Sequence, residues 1–69
     1  MDEIIVGSMY MCSVSHIEGS FEVKILDECN QSNYMVQVVR CTKKQFSILK
    51  QSNFTILVFK DNLIRLSTQ

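Results

Sequence analysis

Phe21-Glu22-Val23-Lys24-Ile25-Leu26 alternates apolar and charged residues as far as Ile25. Successive side chains of a strand point to opposite faces, so Phe21, Val23 and Ile25 share one face and Glu22 and Lys24 the other. This is the pattern of a half-buried strand, and it sets the fold class. Residues 34–41 repeat it: Tyr34, Val36 and Val38 share a face and Gln37 opposes them. Between the two segments, Cys29-Asn30-Gln31-Ser32-Asn33 is a polar tract suited to a hairpin loop.

Further strands are expected on either side of this hairpin. Residues 7–14 form a first strand, which 4–6 extend. Residues 15–20 contain Gly19 and read as a turn. Residues 54–60 form a fourth strand, with Phe54, Ile56 and Val58 on one face and Leu57 and Phe59 on the other. Both faces are apolar, which predicts cover on both sides. Residues 60–62 turn the chain into a fifth strand over 63–67.

Residues 42–53 read differently. Thr42-Lys43-Lys44-Gln45 fits a capping box, in which hydroxyl and amide side chains satisfy each other's backbone N–H groups. Phe46 and Leu49 follow one turn apart, and Asn53 suits a left-handed cap. A short helix over 43–51 is expected; the competing assignment makes 45–50 a strand.

Composition agrees with a β-rich chain. Ile, Val, Phe and Tyr are plentiful while alanine, the best helix former, is absent. The expected fold is therefore mainly β (β-rich α+β), a single small domain over 1–69. About five short antiparallel strands would form a small SH3-like barrel or a rolled sheet. OB-like barrels share the strand count but are usually longer. The likeness rests on strand number and length alone. A chain of 69 residues buries only about 60% of its unfolded surface, so association is expected to supplement the core.

The charge is divided along the chain. Residues 1–30 carry six acids and one base, Lys24, a net of −5; residues 31–69 carry six bases and one acid, Asp61, a net of +5. From Cys29 to Lys60 there is no acid, and Arg40, Lys43, Lys44 and Lys50 fall close together. Either the two halves pair inside the sheet, which stabilises modestly, or the basic cluster is a binding surface. Tyr34 and Phe46 would supply stacking surfaces for a nucleic acid. Against that partner stand a neutral chain and a sequence pI of about 6.5.

Catalytic and metal patterns are weak. Cys12, His16, Cys29 and Cys41 have the ligand types of a zinc site, but no two cysteines form the tight pair such sites use. The only histidine, His16, lies in an expected turn, and Cys41 beside Arg40, Lys43 and Lys44 lacks an orienting third group. Two isolated glycines cannot make a phosphate loop. No metal, cofactor or enzymatic activity is expected. Three cysteines, an acidic segment at 1–7 and no long apolar run point to a reducing cytoplasm without membrane contact.

The expectation is a non-enzymatic protein-interaction module, a regulator or inhibitor of a larger protein. A virus- or phage-encoded accessory protein is one natural setting. Its binding residues would be Arg40, Lys43, Lys44, Lys50 and Tyr34, with Met9 and Met11 at a further interface and a homo-oligomer expected. The alternative is a small nucleic-acid-binding barrel using the same cluster over 40–50.

Overall fold

The architecture was obtained as a computed structural model that describes residues 4–65. Five strands are β1 (Met9–Cys12), β2 (Phe21–Glu28), β3 (Asn33–Arg40), β4 (Thr55–Phe59) and β5 (Leu63–Arg65). One helix, α1 (Lys43–Leu49), lies between β3 and β4 and runs into a 3-10 turn at Lys50–Ser52. A second 3-10 turn at Lys60–Asn62 joins β4 to β5. The expected mainly β chain of five antiparallel strands and one short helix is what forms.

All five strands belong to one antiparallel sheet in the order β4-β3-β2-β1-β5. The sheet is not closed, so β4 and β5 are its edges. It must nevertheless curl. In a flat sheet four strand spacings of about 4.8 Å would separate the edges by about 19 Å. The four Cα–Cα steps from Phe59 to Leu63 reach at most about 14 Å. Asn62 ties this link to β1 by accepting the Ser13 N–H at 2.9 Å.

Two irregularities in the β2–β3 ladder help the sheet bend. Glu22 pairs with Arg40 and Val23 with Val38, which leaves Val39 as an extra residue; Ile25 pairs with Val36 and Asp27 with Met35, which leaves Leu26 as another. Bulges of this kind increase local twist and re-aim side chains. They also interrupt the alternation: Val39 and Leu26 are both exposed.

The concave face holds the core. Phe21, Val23 and Ile25 are buried as their spacing requires, facing Tyr10 and Cys12 of β1, Tyr34 and Val36 of β3, and Val58 of β4. Leu49 of α1 and Ile17 of the β1–β2 loop close one end. Each such apolar side chain, fully buried, contributes about 1.5–3 kcal/mol.

Four sequence expectations shift. The first strand covers 9–12 rather than 7–14, and 4–6 do not extend it. Gly7 turns the chain with φ +94 before β1, and beyond Cys12 the Ser13 N–H still bonds the Asn62 carbonyl on the β5 side. The helix stops at Leu49 because the chain tightens into the 3-10 turn, after which Asn53 caps it in the left-handed conformation (φ 60, ψ 32) as anticipated. The strand alternative for 45–50 is excluded. β4 is not covered on both sides: as an edge strand with only its inner face on the core, it leaves Leu57 and Phe59 bare. For β5, positions 66–67 lie outside the described residues.

Candidate functional site

Helix α1 is fixed at its start by the anticipated capping box. The Gln45 N–H donates to Thr42 Oγ1 at 3.2 Å, and the Thr42 N–H donates to Gln45 Oε1 at 2.9 Å. The Gln45 amide has a second task. Its Nε2 donates to the backbone carbonyls of Glu18 (2.9 Å) and Ser20 (3.1 Å), which fastens the β1–β2 loop to the helix. Gly19 lies between them at φ +85, where a Cβ would stand 3.1 Å from Nε2.

Burial of Gln45 and Leu49, one turn apart, sets the orientation of the helix. At 100° per residue the opposite side carries Lys43, Lys44, Ser47 and Lys50, all exposed. Phe46 (51% exposed) and Ile48 (42% exposed) sit on the two shoulders. Lys43, Phe46 and Lys50 follow i, i+3, i+7 spacing, so two ammonium groups flank one exposed aromatic ring along a single stripe. The first turn contains no acid. Lysines there work against the helix dipole, so this placement lowers helix stability.

A groove of about 400 Å³ opens beside this stripe, lined by Val38, Val39, Arg40, Cys41, Phe46 and Phe54. The bulge in β3 turns Val39 outward to one wall. Phe54 supplies the other through an unusual backbone: Asn53 and Phe54 both have positive φ, 60 and 61. Asn tolerates that region, whereas a bulky aromatic there is a strained outlier. Neighbouring bonds impose it. The Phe54 N–H donates to the Leu49 carbonyl at 3.0 Å, and the Phe54 carbonyl accepts from the Val38 N–H at 2.7 Å. The ring then packs against Phe46 with centroids 4.9 Å apart and a tilt of 55°. Strain of this kind concentrates where a surface is shaped for use. Arg40 and Cys41 also border a second hollow of about 300 Å³ that includes Met11, Phe21 and Glu22.

Internal charge pairing is partial. Register sets Arg40 opposite Glu22, with Nε 3.7 Å from the carboxylate, while the guanidinium side chain stays 82% exposed. Among the described residues no ion pair engages Lys43, Lys44 or Lys50. Of the expected basic cluster only Arg40 lines the groove; Lys44 lies at a separate hollow with Glu18, Gly19 and Ile48, and Lys43 and Lys50 stand exposed on α1 and its 3-10 continuation. Tyr34 does not join them. Its side chain is buried at 6% exposure because β3 turns it to the core face with Val36; Phe46 is the exposed ring. Met9 and Met11 lie on the outer face, half-buried, paired with Lys24, Glu22 and Ile64 across the ladders.

The possible chemical groups are scattered. Cys12 is fully buried, and burial pushes its thiol up to about 11, which disfavours a nucleophilic thiolate. Cys29 is exposed in the β2–β3 loop and His16 in the β1–β2 loop. Among the described residues no three His, Cys, Asp or Glu side chains converge as a metal site would need. No helix among the described residues is long and apolar enough to cross a membrane.

Val39 and Phe54 escape sequence reasoning. The doubled Val38-Val39 is a faint sign of a bulge, but nothing in Asn53-Phe54 announces a left-handed phenylalanine. Comparison with known proteins finds no matching family model, no similar curated protein and no similar solved structure.

Proposed function

We propose that this chain is a non-enzymatic interaction module that docks an acidic protein segment carrying one large apolar side chain. The supporting observation is the groove between the end of β3 and α1. Its apolar walls are the exposed Val39 and Phe46 and the half-buried Phe54, Arg40 lines it, and Lys43 and Lys50 flank Phe46 along the helix stripe. An apolar anchor enters the groove while flanking carboxylates meet the lysines. This is the usual division between an apolar centre and a polar rim. On this proposal the protein is a small cytoplasmic regulator or inhibitor of a larger protein. The curled sheet is its SH3-like framework, a likeness of size and strand number only.

A second reading, single-stranded nucleic acid, is favoured by Phe46 standing exposed between Lys43 and Lys50. It is weaker because Tyr34 is in the core and Arg40 is shared with Glu22.

Titration of the isotope-labelled protein with a synthetic peptide, one leucine or tryptophan among aspartates, tests the proposal. Amide shifts are expected at Val39, Cys41, Phe46 and Phe54. They should vanish for the Lys43→Glu/Lys44→Glu variant and weaken at least about tenfold for Phe46→Ala, the loss typical of an anchor side chain. Shifts with an oligonucleotide and none with the peptide would replace this reading by the second.

A further inference from the structure

β4 reads Thr-Ile-Leu-Val-Phe and is an edge of the sheet. Natural edge strands are guarded by charge, proline, bulges or shortness. β4 has no charge and no proline, and its register with β3 is uninterrupted over five pairs. The other edge, β5, has three residues and includes Arg65. The backbone groups along the two sides of β4 can be assigned. The Phe54 carbonyl and the Lys60 N–H both bond towards β3 and its loop, at 2.7 and 2.8 Å. By the period of two, Thr55, Leu57 and Phe59 direct their N–H and C=O groups away from the sheet. The Phe59 N–H is met by Asn62 Oδ1 at 3.0 Å. Among the described residues no strand pairs with the rest of that edge.

The same three residues turn their side chains to the outer face. Leu57 is 56% and Phe59 59% exposed. Met35 stands opposite Leu57 on β3, and the bulge residue Leu26 lies beyond it on β2, so the apolar surface crosses three strands.

We infer that the β4 edge is a homodimer interface at which a second copy adds its own β4, antiparallel and centred on Leu57. A two-fold axis at Leu57 pairs Leu57 with its counterpart and Thr55 with Phe59. Both Leu57 N–H groups and both Leu57 carbonyls then find partners, and the Thr55–Phe59 pairs complete the ladder when the Asn62 side chain yields the Phe59 N–H to the Thr55 carbonyl. Charge selects this geometry. No charged side chain enters the paired segment, and the two Lys60 residues lie six ladder steps apart, about 20 Å, beyond the Debye length of about 8 Å. A parallel pairing in register would set them side by side. Because the covered surface is mainly one short strand, the dimer belongs to the small, reversible class of interface.

Sedimentation equilibrium under reducing conditions, over about two decades of concentration, is the test. The apparent mass is expected to rise from 8.0 kDa towards twice that value. Leu57→Lys should remain at 8.0 kDa throughout, with unchanged far-ultraviolet circular dichroism. Leu57→Pro is the second variant. It removes only an outward N–H, which an edge strand tolerates, and should also be monomeric. The Lys43→Glu/Lys44→Glu variant should dimerise like the parent, which separates this interface from the groove. A constant 8.0 kDa for the parent would overturn the inference, as would a dimer that survives both Leu57 substitutions. Capture of an unrelated strand peptide without self-association would overturn it too.

Discussion

The junction of α1 with the β1–β2 loop and the edge strand β4 handle polarity in opposite ways. The junction buries a glutamine, Gln45, to 3% exposure; the edge leaves a leucine and a phenylalanine more than half exposed. Hydropathy alone would reverse both. At the junction the amide oxygen and both amide hydrogens of Gln45 are matched, so its burial incurs little desolvation penalty. At β4, position in the sheet decides: an edge strand has one face on the core, and the residues of the other face stay outside whatever their hydropathy. A buried polar group and an exposed apolar patch are each more informative than the average residue. Here the first marks a structural lock and the second the edge proposed above as a dimer interface.

Removing the lock gives the largest effect. Gln45→Ala strips the Thr42 N–H and the carbonyls of Glu18 and Ser20 of their partner. The expected loss is about 2–4 kcal/mol, from two to three unsatisfied groups at about 1–3 kcal/mol each with partial relaxation. Urea unfolding at low protein concentration measures it. A loss below about 1 kcal/mol would mean that water replaces the amide and that the junction is no firmer than the edge.

Cys12 sharpens the same contrast through pH. Burial holds its thiol protonated up to about 11, against an ordinary value of 9.0. The folded state therefore binds more protons than the unfolded state between these values. Stability is full below 9.0 and falls as pH rises through 9.0 towards 11. Two pKa units correspond to about 2–3 kcal/mol. Comparing alkaline unfolding of the parent with that of Cys12→Val isolates this thiol. Parallel pH profiles for the two would show that Cys12 reaches solvent before the chain unfolds.

Sequence legibility follows the same division. The faces of β2 and β3, the capping box and the left-handed Asn53 are local matters, carried by alternation, by a four-residue spacing and by one residue's tolerance of positive φ. Each was readable from neighbours alone. The Leu26 and Val39 bulges depend on how two strands register. The second role of Gln45 depends on a loop 25 to 27 residues earlier in the chain. The groove required both the bulge at Val39 and the imposed backbone at Phe54, so Arg40 and Phe46 of its lining were legible and Val39 and Phe54 were not. Both faces of β4 looked alike in sequence because strand order, which places β4 at an edge, is not written in β4. Tyr34 is a related case: its alternation with Val36 points to the core, while its ring chemistry alone offers a stacking surface, and burial decides for the first.

The smallest expected effect tests the β4 comparison most directly. Leu57→Thr and Val58→Thr alter adjacent residues of one strand, and the β-branched shape of threonine suits a strand at either position. Val58 is 3% exposed within the core, so its substitution places a hydroxyl there without an assigned partner and should cost about 1–3 kcal/mol. Leu57 faces outward, and in dilute protein its substitution should change stability by no more than about 0.5 kcal/mol. On concentrating the protein the order of interest changes. The parent should gain stability as copies associate, because a partner that binds only the folded state shifts unfolding by mass action. Leu57→Thr should gain less, and Val58→Thr should keep the parent's full increment. Equal increments for all three chains would show that association, if it occurs, does not use the outer face of β4.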